Sequence, residues 1–398
     1  MNAKRASSVR DGVGGMHHRG FVTCVVAAAW LTAGLLPGAV VASDDPGPAW
    51  HKEATTLKYD RAALEQRWRA RIQGFLDRGV IPIIDLESSL PERDANNYLV
   101  AAMRRMDELG VALIAFDGYQ RPRAGKKDEG DYRWGDYIIQ IVNAFPDHFI
   151  PTTNGGTSKN WLEQKDSFIG QLEQQVKTGQ YPIMGEFDFR HCLSSHQCRE
   201  GRQDRDNDIP LTSANGQRLF RLSEQTGVPF VIHLEPENQP LADLETMLTK
   251  YPKARVIVAH FGQLRFPQRQ RRFTPELVRH LLTTYPNLYY DLSTGYPGRR
   301  YQCNNNVLDT VLWDDTLLGQ SDRLKPAYKA ILTEFSQRFV AGTDYGGGRK
   351  PLPDFLPERV ANLRLILSQL PEAARHNIGY RNAWALLTGK AWSDGKSD

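Results

Sequence analysis

Residues 229–262 read PFVIHLEPENQPLADLETMLTKYPKARVIVAHFG. Two short apolar runs, Pro229–Ile232 and Arg255–Ala259, flank a segment, Leu241–Tyr251, whose apolar residues recur at helical spacing. Each run leads directly into a histidine, His233 after the first and His260 at the end of the second. Continuous apolar runs, rather than alternating ones, suit strands buried on both faces. A strand, a helix and a second strand in that order predict a parallel pair joined by a helical crossover.

The same unit recurs on both sides. Further runs lie at Val80–Ile84, Val111–Phe116, Phe149–Thr152, Pro182–Phe187, Leu288–Tyr290 and Phe339–Ala341. Helical patterns fall between them at Asn96–Gly110, Tyr137–Phe145, Trp161–Lys177, Ala214–Gly227, Pro275–Tyr285 and Leu324–Gln337. Several stop at Gly or at Tyr-Pro, both helix-ending signals. Eight strands alternating with helices predict an α/β chain folded as a (β/α)8 TIM barrel, a single domain over 80–392. An open doubly wound sheet is the alternative, but Asp85-Leu86-Glu87-Ser88 stands where a Gly-rich dinucleotide loop would follow the first strand. Residues 43–79 form an N-terminal extension. Within it Leu64, Trp68, Ile72 and Phe75 make a stripe on a helix over Arg61–Asp77, read as covering one end of the barrel. Residues 393–398 are a polar tail.

The composition, with 24% charged and 40% hydrophobic residues over 398, is that of a globular protein and excludes disorder, collagen and coiled coil. The formal charge of +4 includes Lys4, Arg5, Arg10 and Arg19 against Asp11 in the first 42 residues; beyond them, 46 basic side chains face 45 acidic ones. That balance gives no reason to expect a nucleic-acid partner. Phe21–Leu36 is uncharged and apolar, follows basic residues, and precedes Val40-Val41-Ala42. This is the pattern of a secretory signal over 1–42, too short for a membrane span. It predicts a secreted or periplasmic protein with no stable membrane anchor after cleavage. Export permits disulfides. Of Cys192, Cys198 and Cys303, the first two close a short loop and are the expected pair, leaving Cys303 over.

In a barrel of this kind the site lies at the carboxyl ends of the strands. Those ends carry Asp85, Glu87, Ser88 and Ser89 after the first strand, Glu186 in the fourth, His233 after the fifth, His260 after the sixth and Asp344 after the eighth. A closed barrel brings them to one opening. Imidazole nitrogens and carboxylate oxygens are an ordinary ligand set for zinc or another divalent ion, which activates water for attack.

The chain resembles the amidohydrolase superfamily, in particular the amidohydrolase-related branch and the TatD-like hydrolases. The resemblance spans roughly Ile81 to Gly389 and rests on IIDLESSL, MGEFDF, VIHLEP, VIVAHFG, GTDYGGG and YRNAWALLTG, in that order. It implies that His233 is a metal ligand and that His260 is either a ligand or a group polarising the substrate. It further implies that Asp344 accepts the proton of the attacking water, and that Glu186 is the strand-four metal ligand. The family's strand-one Asp-x-His-x-His is here Asp85-Leu86-Glu87-Ser88-Ser89, so Glu87 and Ser89 stand at the two histidine positions. Glu also occurs at the first of these positions in decarboxylases of the branch.

Three arrangements follow. One divalent ion, zinc or manganese, is held by Glu186, His233 and His260 with Asp344 as base; or Glu87, His233 and Asp344 hold it; or the site works without metal through Asp344. The loops after the strands are rich in arginine, whose forks match carboxylate and phosphate. Arg121, Arg190, Arg265 and Arg349 are the candidates for an anionic substrate, against the alternative of solvated loops. The expected function is hydrolysis of an ester, lactone or amide of a small molecule by activated water. A non-oxidative decarboxylase, a non-catalytic binding protein and a phosphodiesterase or nuclease are the alternatives.

Overall fold

The computed structural model describes residues 56–119, 134–157, 159–301, 303, 307–316, 319–346 and 350–393. The leader expected over 1–42, Arg121, Arg349 and residues 394–398 of the expected tail lie outside the described residues.

Eight parallel strands are present where the apolar runs predict them: β1 Ile83–Asp85, β2 Val111–Ala115, β3 Phe149–Ile150, β4 Met184–His191, β5 Phe230–Leu234, β6 Val256–Val258, β7 Leu288–Asp291 and β8 Phe339–Val340. The pairing runs β1 to β2 to β3 on one side, and β4 to β5 to β6 to β7 to β8 on the other. Two parallel bridges join these arcs, Thr152 to Ile183 and Asp85 to Ala341. The second is reinforced by the Leu86 N–H donating to Ala341 O at 3.2 Å. The ring is therefore closed, with no exposed edge among the eight strands.

Helices surround the ring: α1 Arg61–Asp77, α2 Glu92–Leu109, α3 Trp134–Ala144, α4 Asp166–Lys177, α5 Ala214–Thr226, α6 Asn238–Lys250, α7 Pro275–Thr284, α8 Pro326–Glu334, α9 Leu352–Ser368 and α10 Asn382–Thr388. The caps explain several boundaries. Ser213 and Thr274 cap the starts of α5 and α7 through their side chains, and Gly227 ends α5 at φ +71°. The helix expected over Trp161–Lys177 is instead two pieces, Lys159–Leu162 and α4, because Gln164 between them lies at φ +54°.

The predicted stripe of α1 is buried, and Trp68 Nε1 donates to Pro146 O at 2.9 Å while Arg71 Nε donates to Ala112 O at 2.7 Å. Both acceptors lie at the amino ends of strands, so α1 closes the floor, away from the expected site. At the other end a short three-stranded parallel sheet, Ser88–Pro91, Asp117–Tyr119 and Tyr345–Gly346, extends the loops after β1, β2 and β8.

The expected Cys192–Cys198 pair is corrected: the disulfide joins Cys198 to Cys303, and Cys192 is free and buried. Cys192 follows β4 directly, with its sulfur 3.7 Å from Glu237 Oε1. Ser194 then starts a helical turn, Ser195–Arg199, through a reciprocal capping box with Gln197. That turn places Cys198 against the loop after β7 rather than back against Cys192, so sequence proximity misleads here. Among the described residues no helix is long and apolar enough to cross a membrane.

Candidate metal centre

β4, β5 and β6 lie side by side, and bring Glu186 within β4, His233 near the end of β5 and His260 just after β6 together, each offering one donor atom. His233 Nδ1 lies 3.1 Å from Glu186 Oε1 and 3.1 Å from His260 Nε2. His260 Nε2 lies 3.4 Å from Glu186 Oε1. Ligands about 2.0–2.1 Å from a tetrahedral zinc are separated from one another by roughly 3.3 Å. The triangle has that size. Its two nitrogens and one oxygen also have the chemistry of a borderline divalent cation, so the residues fit the ion. Glu87, His260 and Asp344 form a second group that shares the same histidine. The Glu87–His233–Asp344 arrangement expected as an alternative is not the one assembled: Glu87 and Asp344 meet His260 instead.

Two buried aspartates at strand ends set this geometry. Asp291, closing β7, accepts from the backbone N–H of His260 at 2.9 Å, the N–H of Ser293 at 2.8 Å and the Ser293 hydroxyl. Ser293 O and Oγ then face His260 Nδ1 at 3.0 and 2.8 Å, which leaves Nε2 to the triangle. Asp85, closing β1, accepts from the N–H groups of Glu87 and Thr343 at 3.0 and 3.1 Å, and from the hydroxyls of Ser88 and Thr343 at 2.8 and 2.6 Å. Asp344 in turn donates its N–H to Glu87 O at 3.1 Å. His260 and Asp344 sit at φ +59° and +53°, a left-handed conformation unusual for these residues that the surrounding hydrogen bonds hold in place.

Without an ion the electrostatics are those of a crowded acid cluster. Burial raises the Glu87 carboxyl well above the usual range, with Glu186 adding to the shift, and its Oε2 has no hydrogen-bond partner. Burial alone would also raise Glu186, but hydrogen bonds with His233 and His260 outweigh it and hold this acid well below the usual range. Burial opposes charge on His260, yet Asp344 and Glu186 outweigh it and push its pKa well up. Burial raises Asp85 to about 7.

The amidohydrolase family model matches residues 184–388, just over half of the sequence, from the start of β4 through α10. The chain belongs to the amidohydrolase family. No curated relative matches the sequence. Solved structures similar to this amidohydrolase include a 2,6-dihydroxybenzoate decarboxylase from Rhizobium, 14% identical, covering 77% of this chain and 98% of that one with a TM-score of 0.44. A dihydroxybenzoic acid decarboxylase from Polaromonas with bound manganese and 2-nitroresorcinol is 14% identical over 78% of this chain and 98% of that one, with a TM-score of 0.45. An inactive dihydroorotase-like domain from Chaetomium thermophilum is 11% identical over 77% of this chain and 78% of that one, with a TM-score of 0.42.

In this amidohydrolase, Ser89, which the resemblance sets at a strand-one histidine position, hydrogen-bonds Asp117 after β2. Asp117 is buried against Gly155 and Gly185, where a Cβ would lie 1.9 Å from its Oδ2 and 2.3 Å from its Cβ. The site thus has an acid–hydroxyl pair where the resemblance alone implies an imidazole. His191 does not substitute for that imidazole: its Nδ1 meets Arg205 O at 2.7 Å and its ring packs against His233.

Of the arginines expected to face an anionic substrate, the two among the described residues, Arg190 and Arg265, are engaged inside the protein. Arg190 grips Glu237 at 3.1 and 3.2 Å and Asp206 at 2.6 Å. Arg265 is buried 2.9 Å from Glu235. Their forks are occupied by the protein's own acids, so the substrate role is not the one this geometry gives them. The arginine at the site is Arg359 of α9, 3.3 Å from Asp344 Oδ2. Nothing near Asp344 in the sequence points to it. Asp344 itself is 37% exposed in its side chain, the most open of the site residues, and marks the mouth.

Proposed function

We propose that this amidohydrolase is a hydrolase of small-molecule esters, lactones or amides, with one zinc or manganese ion held by Glu186, His233 and His260. The observation that carries the reading is the 3.1, 3.1 and 3.4 Å triangle of their donor atoms. An ion bound there supplies Lewis acidity and offsets negative charge that develops on the substrate oxygen. The Asp344 carboxylate, oriented by Arg359 and by its own N–H bond to Glu87 O, takes a proton from the attacking water. Glu87, whose carboxyl burial pushes up and whose Oε2 is unpartnered, is the candidate to deliver a proton to the leaving oxygen or nitrogen. The apolar leader and the Cys198–Cys303 disulfide support action outside the cytoplasm.

A proton on Glu87 also suits the decarboxylase reading, in which that proton goes to the carbon that loses carbon dioxide. Turnover in 18O-labelled water separates the two: a hydrolase places label in the product acid, whereas a decarboxylase releases carbon dioxide and places none. The first test is metal content. The chain from Ser43 onward, purified without added metal or a His tag, should carry about one equivalent by plasma mass spectrometry. Glu186→Ala and His233→Ala should each lose that metal and still unfold cooperatively. Retention of a full equivalent by both variants overturns the assignment.

A further inference from the structure

We propose that the Cys198–Cys303 disulfide is a redox-operated latch on a roof that closes the His233 side of the site. The proposal takes the donor triangle as the site, as above. β4 ends at His191, and the next residues, Cys192 to Ser194, belong to no strand. Their carbonyls are met instead by the loops after β6 and β7. Arg265 donates to Cys192 O, and the Tyr301 hydroxyl donates to Leu193 O at 2.7 Å. Cys303 Sγ lies 3.7 Å from Ser194 O. The Arg265 guanidinium lies over the Tyr301 ring at 5.7 Å, and Phe266 meets that ring edge-on at 5.7 Å. Three loops thus meet at one buried tyrosine, and the disulfide joins two of them covalently.

The inner side of this roof lies against the triangle. The His191 ring centroid is 4.4 Å from that of His233. Arg265 holds Glu235 at 2.9 Å, and Glu235 lies 3.6 Å from His233 Nε2. His233 and His260 are buried, whereas the Asp344 side chain is 37% exposed. Solvent therefore reaches the site on the β8 side, and the roof closes it over β4 to β7. A segment held by a few side-chain contacts opens locally at low free energy. A bond between residues 105 apart removes many conformations of that open state. Cys198 and Cys303 are both partly exposed, so a dithiol reductant reaches the bond. It delivers two electrons and two protons through a mixed disulfide: the sulfur–sulfur bond breaks, Cys198 and Cys303 become thiols, and the reductant closes to its own disulfide. Cys192 does not compete in this exchange. It is buried, its sulfur lies 3.7 Å from Glu237 Oε1, and burial pushes its thiol well up. In an oxidising compartment the roof is latched, and a dithiol opens it.

The test reads the roof through Cys192, the one free thiol of the oxidised chain from Ser43 onward. In Cys198→Ala/Cys303→Ala it is again the one thiol, so a brief native pulse of iodoacetamide compares the same group in both chains. Alkylation of Cys192 should be on the order of 10–100-fold faster in the variant than in the oxidised chain. Hydrogen–deuterium exchange should place the opening: residues 188–194 and 262–272 lose protection within minutes, while α1 on the floor stays protected. The wild-type chain treated with dithiothreitol should show the same exchange and regain protection on reoxidation, which tests the latch without a substitution. EDTA should extract zinc about tenfold faster from the reduced chain than from the oxidised one. Alkylation or extraction at the oxidised rate overturns the proposal, as does loss of protection in α1 together with the roof. If the wild-type chain takes up no zinc, the metal-site reading fails, and alkylation and exchange still decide the latch.

Discussion

Asp344 and His260 illustrate what a single residue contributes beyond its type. Both are at positive φ and both are held there by hydrogen bonds to a buried neighbour's network. Asp344→Asn keeps the size and the backbone but removes the base. It should lower kcat by roughly 10²–10⁴-fold while metal content, read by plasma mass spectrometry, stays at the wild-type level. Asp85→Ala should act on stability instead. It leaves two N–H groups and two hydroxyls without their acceptor. Urea unfolding should show a loss of about 2–4 kcal/mol, since each buried unpaired donor costs about 1–3 kcal/mol and neighbours relax. At this scale the identities of Glu186, His233, His260 and Asp344 were legible, because Glu186 interrupts an apolar run and the other three follow one. Arg359, Ser293 and Glu235 were not, because their roles come from partners distant in sequence or from a neighbour's orientation that no spacing encodes.

At the scale of elements, the loops and helix ends carry most of what the sequence reading missed. Cys198 and Cys303 tie the loop after β4 to the loop after β7 across 105 residues. Reduction, or Cys303→Ser, should lower stability by about 2–4 kcal/mol, seen as a lower melting temperature in reductant than without it. The segment entering β3 gives a pH-dependent test. His148 lies between Arg71 of α1 and Asp107 of α2, and burial, with Arg71 adding to it, lowers its pKa to about 4. The unfolded chain protonates this histidine near 6.5 and the folded chain only near 4, so the unfolded state binds the extra proton between those values. Stability therefore falls as pH drops from about 6.5 to about 4. His148→Gln should flatten that part of the melting-temperature profile; an unchanged slope would place the acid sensitivity elsewhere. The short sheet of Ser88–Pro91, Asp117–Tyr119 and Tyr345–Gly346 was not legible either, since strands of two to four residues have no periodicity to read.

For the whole molecule, closure of the barrel separates stability from chemistry. The site sits at the carboxyl ends of β4, β5, β6 and β8, and α1 seals the amino ends. Trp68→Ala on α1 should cost about 3–5 kcal/mol by denaturant unfolding, yet leave bound metal at the wild-type level. A loss of metal in a variant that still folds would show the two ends to be coupled. The sequence by itself determined the eight strands, most of the helices and the donor types at the strand ends. Those features are local: buried strands need continuous apolar runs, helices need their own period, and metal chemistry needs imidazole and carboxylate. Tertiary structure alone decided that the ring closes through Thr152–Ile183 and Asp85–Ala341, that Cys198 pairs with Cys303, and that Glu87 meets His260 rather than His233. It also decided that Arg190 and Arg265 serve the protein's own acids. These are contacts between residues tens to hundreds of positions apart. Which of several chemically equivalent partners a charged or sulfur-bearing side chain meets is set by where the barrel places it, and spacing along the chain carries no record of that.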